Sequence, residues 1–426
     1  MLKLARSLHQ SYDYRTLNDT KASKGIHLNN KWVILVLLSL AELMGMTVWF
    51  SVSAISPALN VEFGFTSSAI AQLVMAVQLG FVVGTLLIAF GNLADVFNTR
   101  HVFGCSAIMA AVFNLAFLAH PDNLIFGLFL RFLTGVALAG VYPPGMKIIA
   151  GWFRQSRGLA IGTMVGALTA GSALPHWIGA LLRDQWQLVI IVSSVFSLSA
   201  ALIVFFLVKD GPYDVPANQF DFQYVYKILG HRPTRLAYFG YFGHMWELYA
   251  MWTWVPIFLL KVLKTNPEAF LSPGLSAFLV IAAGTIGSIV YGLLADNAGR
   301  SLSTISAMAL SGLCCFTVGF LEKIDPVILL SLCLVWGFTV VADSAQFSAA
   351  VSELCEPAYT GTVMTLQTSF GFLITMASIR IIPAIEADFG WGPAFSILGL
   401  GPLLGITAMF LLYRSPEAVR MAGGRR

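Results

Sequence analysis

Charge is scarce in this chain. Asp, Glu, Lys and Arg make up 11% of its 426 residues, against about 25% in a soluble domain. Apolar residues make up 57%, and the mean hydropathy is +0.78. So much apolar surface cannot be hidden in one water-soluble core, which excludes that class of fold. Cysteine is also sparse. Cys105, Cys314, Cys315, Cys333 and Cys355 show no CxxC spacing and mostly sit in apolar runs. That argues against a disulfide framework or a thiolate metal site and leaves small core hydrophobes. HExxH and GxSxG are both missing, and no polar stretch is large enough for an aqueous active site, so an enzyme is not expected. No cleavable leader is expected either. The first thirty residues are polar and basic, and the apolar run after them is long enough to span a bilayer.

What is present is a series of long apolar runs, each near the roughly 20 residues needed to cross a membrane. Twelve candidate spans fall near 32–54, 69–90, 102–119, 123–147, 158–181, 187–208, 236–260, 273–294, 302–320, 327–349, 360–384 and 391–413. The runs are long and do not alternate, so helices are expected and barrel strands are not. The organisation that follows is a polar tail (1–31), a six-helix bundle (32–208), a central loop (209–235), a second six-helix bundle (236–413) and a short tail (414–426).

A polar hairpin after the second span, Gly91-Asn92-Leu93-Ala94-Asp95 through Arg100, recurs after the eighth as Gly292-Leu293-Leu294-Ala295-Asp296 through Arg300. The offset is 201 positions, and Trp186 finds Trp391 at 205. Landmarks at nearly one offset mark a duplicated half. In a membrane chain, paired halves build transporters that expose a central site alternately to each side. Lys and Arg are unevenly shared. With the N-terminus inside, nineteen of the 25 fall on the inner loops and tails, while only Arg183, Lys261, Lys264 and Lys323 fall outside. The positive-inside rule then puts both termini in the cytoplasm.

The repeated Gly-x-Leu-Ala-Asp…Arg hairpin resembles the loop signature of the major facilitator superfamily. So do Arg131-Phe132-Leu133-Thr134-Gly135 in the fourth span and Gly151-Trp152-Phe153…Arg157-Gly158 after it. The resemblance covers all twelve spans and implies an all-α fold of two pseudo-symmetric six-helix bundles. It makes Gly91, Asp95, Arg100, Asp296, Gly299 and Arg300 conformational residues that latch the halves, with Arg100 free to pair with Asp95 or a lipid phosphate. The first copy departs from the signature where Asn98 replaces glycine. Asn tolerates a left-handed turn better than most residues, so the turn is expected to survive. Glycines 158, 162 and 166, four apart, read as a close-packed helix face. The proline expected after Gly166 in antiporters is replaced by Ala167, which disfavours export.

A charge at bilayer depth costs at least about 2.5–3.5 kcal/mol, so each asks for a partner or a wet cavity. Glu42 lies mid-span and Arg131 in the outer half of its own span. They are expected to pair across the cavity that spans one and four line in the resembled fold. His244 and Glu247, three apart on one helical face, are expected to line the centre with Asp343 and Gln346. His176 and Arg380 sit nearer outer ends, where snorkelling is cheap. Trp252 and Trp254 read as packing or interface anchors, and Tyr142-Pro143-Pro144 as a kink.

A carboxylate withdrawn from water binds its proton more firmly, and a nearby guanidinium opposes this. A buried acid can therefore load and release protons between two exposures. The expected activity is proton-coupled symport of a small polar or charged organic solute by a monomeric, multi-pass protein of the inner (plasma) membrane. Its partners are then solute, proton and lipid, with no nucleic acid, cofactor or metal. Spans 69–90 and 273–294 lack the arginines that nitrate porters of the resembled family carry, which disfavours nitrate. An exporter of drugs or siderophores, and a transporter-like sensor without flux, are the alternatives.

Overall fold

The computed structural model describes residues 30–91, 97–153, 156–182, 185–213, 226–228, 230–264, 271–356 and 359–426. Asp95 and the rest of 92–96 lie outside the described residues. Among those described there is no strand. Ten helices are long and apolar enough to cross a membrane. They are α2 (Ser67–Phe90), α3 (Thr99–Ala119), α4 (Leu124–Ala150), α5 (Gly158–Leu182), α6 (Trp186–Phe206), α8 (Pro273–Ala298), α9 (Arg300–Phe320), α10 (Pro326–Leu354), α11 (Thr360–Phe389) and α12 (Trp391–Tyr413). Two further segments complete the set of twelve. One is α1 (Lys31–Met46), continued past a break by Ser51–Ala54. The other is α7 (Arg232–Lys264), 33 residues long and thus roughly 50 Å at 1.5 Å per residue.

Local chemistry sets where these helices start. Side-chain oxygens of Asn30, Thr66, Asn98, Asn123, Ser272 and Asp325 accept amide hydrogens from the first turns of α1, α2, α3, α4, α8 and α10. Each cap satisfies donors that a helix start leaves open. Asn98 is one of them. Its φ is −58°, so it caps α3 in place of making the expected left-handed turn. Gly299 does hold a positive φ, +95°, and a side chain there would also strike the backbone of Arg425 and Arg426.

We call the end where α1 begins the basic face, and the other the opposite face. The helices overrun the hydropathy limits chiefly at the ends, as where α7 begins at Arg232 and α10 runs to Leu354. Polar residues just outside an apolar core carry no hydropathy signal, yet the helix continues through them.

The duplication is visible in packing. A methyl on Gly135 of α4 would run into the Val77 carbonyl of α2, and one on Gly337 of α10 into the Val280 carbonyl of α8. Gly135 and Gly337 are 202 positions apart. The halves meet along two seams, α5 against α8 and α2 against α11. On the first, Cβ atoms at Gly158, Gly162 and Gly166 would lie 2.5 Å from Asp296 Oδ1, 2.8 Å from the Ser288 carbonyl and 3.1 Å from the Thr285 carbonyl. The four-residue glycine spacing is therefore a helix face cut for close approach.

Candidate functional site

Three of the central helices are broken. The helix of α1 stops at Met46 and resumes at Ser51, α4 is interrupted at 139–141, and α10 at 341–343. The last two breaks are 202 positions apart. A broken helix in a membrane exposes backbone groups that cost several kcal/mol each if unsatisfied. At α1 the repair is made by Arg131 of α4. One Nη donates to the Val48 carbonyl at 3.0 Å and to Asn114 Oδ1 at 3.1 Å, and the other donates to the Trp49 carbonyl. Asn114 of α3 also receives the Ser51 hydroxyl at 2.7 Å and donates to the Ile190 carbonyl and Ser194.

The expected Glu42–Arg131 pair does not form. Arg131 is consumed by the break, which lies more than a turn along α1 from Glu42. The Glu42 carboxylate is fully buried and has no hydrogen-bonding partner among the described residues. It stands where the second segment of α4 begins. A methyl on Gly145 would be 2.9 Å from Glu42 Oε2. The kink expected at Tyr142-Pro143-Pro144 is the break at 139–141.

The Tyr241 ring is 5.9 Å from that of His244. His244 Nδ1 lies 2.8 Å from Asp343 Oδ1 at the α10 break, both side chains almost wholly buried. Glu42 and His244 occupy matching places in the two halves, 202 positions apart, each against the break of the fourth helix of its bundle. Tyr241, His244 and Asp343 thus form a buried cluster in the C-terminal half, and Glu42 stands by the matching break of the other half.

Glu247 and Gln346 are placed differently from expectation. Glu247 is buried, but Oε1 accepts from Trp336 Nε1 at 2.6 Å and Cys315 Sγ at 3.2 Å, and Oε2 from Ser311 at 2.9 Å. These donors belong to α9 and α10, so the carboxylate is turned into its own bundle as an internal anchor. Gln346 accepts from Arg300 Nη1 at 2.8 Å and so joins the basic face. One turn of helix beyond a break is enough to carry a side chain from one environment to the next.

Other residues were not expected at the centre. Gln78 of α2 and Gln367 of α11 are buried with both amide atoms unpartnered among the described residues. A scan of apolar runs for amides, as well as charges, would have found them. Within a turn or two of them along α2 and α11, Trp49, Phe50 and Phe81 of one half pack on Tyr249, Trp252 and Phe372 of the other. Ring centroids are 4.6 Å apart for Phe81–Phe372, 5.7 Å for Trp49–Tyr249 and 6.0 Å for Phe50–Trp252. This aromatic plug closes the seam on the opposite-face side of Glu42 and His244. Trp252 is part of it, and Trp254 is buried with Nε1 donating to the Ile379 carbonyl.

On the basic face the two hairpin copies differ. Arg100 pairs with Asp210 past the end of α6, Nε–Oδ1 at 3.0 Å and Nη2–Oδ2 at 2.9 Å, and Asn98 joins the same carboxylate. Gly91 caps α2 with an ordinary φ of −76°. Arg300 is mostly buried and holds Asp296 at 3.2 Å, Gln346, and Glu353 at 3.0 Å. The Asp296 carboxylate reaches the first turn of α5 at Gly158, across the seam. The chain's last residues fold back here: the Ala422 amide donates to Glu353 Oε2, the Arg425 guanidinium to the Asp296 carbonyl, and the Ser301 amide to the Arg426 carbonyl. Between these groups lies a pocket of about 490 Å³ that both bundles line.

Known proteins share this plan. The hexuronate transporter of Escherichia coli (strain K12) is 21% identical over 92% of this chain and 96% of its own length. The gallate transporter of Pseudomonas putida is 23% identical over 68% of this chain and 72% of its own. Among solved structures, the human organic anion transporter MFSD10 matches with a TM-score of 0.70 at 15% identity, covering 89% of this chain and 99% of that one. The proton:xylose symporter XylE matches at 0.66 and 15% identity, covering 89% and 95%. These structural likenesses carry the fold alone. A family model described as the Major Facilitator Superfamily matches residues 38–379, which span both bundles and every broken helix, and the chain therefore belongs to that superfamily of integral membrane proteins.

Proposed function

We propose that this protein is a secondary transporter that imports a small organic acid together with a proton, its basic face in the cytoplasm. The observation that carries the reading is the set of buried polar groups between the bundles. Glu42, Gln78, Gln367 and His244 Nε2 have no hydrogen-bonding partner among the described residues. Each unmet buried polar group costs about 1–3 kcal/mol, and a chain retains several together only where water or a polar ligand meets them during its cycle. The relatives support the substrate class. By their names, one carries a hexuronate and another gallate, both carboxylates bearing hydroxyl groups. Amides and imidazole suit such groups, and the aromatic plug supplies an apolar wall.

Glu42 supplies the coupling. An ionised Glu42 repels a substrate carboxylate, and two like charges 4 Å apart at an effective dielectric of 20 cost about 4 kcal/mol. That is roughly a thousandfold in affinity. Protonation removes the repulsion, so acid and proton are taken up together and released together. Glu42 fits this part better than the other candidates, because Asp343 is paired with His244 and Glu247 is held by three donors. Asp296 and Arg300 latch the basic face, and the aromatic plug gates the opposite one. Asp95, Gly91, Arg100 and Gly299 are proposed to shape the same hinges.

The test is uptake of labelled D-glucuronate, gallate, 4-hydroxybenzoate and D-xylose into proteoliposomes. The reading predicts saturable uptake of at least one acid and none of the neutral sugar. Uptake of xylose alone, or of no solute, overturns it.

A further inference from the structure

A second pocket, of about 580 Å³, lies at the opposite face between the ends of α2, α7 and α11. That size suits a small ligand. Both halves of the protein line it: Ser67 and Ser68 from α2, and Lys261, Arg380, Glu386 and Trp391 from the C-terminal half. Lys261 Nζ pairs with Glu386 Oε1 at 2.9 Å, so among the described lining residues the cations outnumber the carboxylates by one, Arg380. Arg380 has no ion-pair partner among the described residues. The Trp391 indole N–H is buried and lacks an acceptor there. In the first turn of α2, the Thr66 hydroxyl takes the Ala69 amide and the Thr66 carbonyl takes the Ile70 amide, so Ser67 and Ser68 stand at the open, positive end of the helix.

The pocket's position gives it meaning. The same three helices carry the aromatic plug, through Phe81, Trp252 and Phe372. From those residues to Ser67, Lys261 and Arg380 is roughly 12–21 Å along the helix axes at 1.5 Å per residue. The pocket therefore lies just outside the plug on a route to the buried centre, and a solute in it touches both halves at their moving seam.

We infer that this pocket is a capture site for an organic carboxylate, anchored by the Arg380 guanidinium and filled before the plug opens. The inference rests on the acid-transport reading above. A fixed cation at the mouth raises the local concentration of anions. It touches the carboxylate only on the way in, so it acts on entry from one face.

The test compares Arg380→Gln and Arg380→Lys with wild type in two settings. Intact cells present labelled D-glucuronate or 4-hydroxybenzoate to the opposite face, and inside-out vesicles present it to the basic face. Loss of one charge-assisted contact is expected to raise KM at the opposite face about tenfold in Arg380→Gln. Vmax should stay within twofold, KM at the basic face should not change, and Arg380→Lys should keep most of the affinity. An unchanged KM at the opposite face, or equal shifts at both faces, overturns the inference. If neither acid is carried, the transport reading fails, and calorimetric titration of the purified protein with the same acids decides the site by itself. Binding that Arg380→Gln weakens tenfold supports it, and no binding overturns it. Loss of the wild-type binding on adding phosphatidylglycerol vesicles would mark a lipid headgroup site and overturn it too.

Discussion

Arg131 teaches most at the residue scale. Beside an unbroken α1, Arg131 of α4 would face Glu42 as a partner. In the folded chain α1 stops at Met46, and the guanidinium repairs the exposed carbonyls of Val48 and Trp49. Its removal strands those carbonyls and Asn114 in a dry interior. Each buried acceptor left without its donor costs about 1–3 kcal/mol. Arg131→Ala is therefore expected to unfold well below wild type in a detergent melt, with Glu42→Gln melting near or above wild type. Equal melting temperatures for Arg131→Ala and wild type would refute the repair role. The sequence made the ionisable residues easy to find, since Glu42, Arg131, His244, Glu247 and Asp343 are all buried. It did not reveal their partners. Those depend on breaks in α1 and α10 that no proline announces, and a break turns every later side chain to a new bearing.

The seam between α5 and α8 shows what one element can say of another. Glycines four apart on α5 are legible in the sequence as a packing face, because the spacing repeats about once per helical turn. The folded chain supplies the face they meet, at Thr285, Ser288 and Asp296. Gly162→Val would place a branched side chain where a Cβ already lies 2.8 Å from the Ser288 carbonyl, so the helices must part. Transport by Gly162→Val is expected to fall at least tenfold with the protein still inserted, whereas Gly361→Ala, at a glycine with open space around it, should transport as wild type. Wild-type rates in Gly162→Val would show that the seam tolerates separation. The helix limits read from hydropathy erred mainly at the polar ends, for the reason seen in α7 and α10. The aromatic plug stayed hidden for a different reason. Trp49, Phe81 and Phe372 look like any core aromatics until the two halves are brought together.

For the whole molecule, duplication explains both the likeness and the division of labour between the bundles. Matching places in the two halves hold Glu42 and His244, an acid without a partner and a base beside one. Likewise Arg100 ties its hairpin to Asp210, while Arg300 gathers Asp296, Gln346 and Glu353 under the folded-back tail. In the proposed cycle the two symmetric frames rock about a shared centre, and the departures from symmetry supply its chemistry. The central claim is that Glu42 couples proton to solute. The most direct measurement compares gradient-driven accumulation with equilibrium exchange of one labelled acid in proteoliposomes. Wild type should accumulate the acid when the outside is made acidic and should also exchange it. Glu42→Gln should exchange it at a third of the wild-type rate or better and accumulate none. Accumulation by Glu42→Gln under the same gradient, or wild-type transport indifferent to the gradient, would contradict the account.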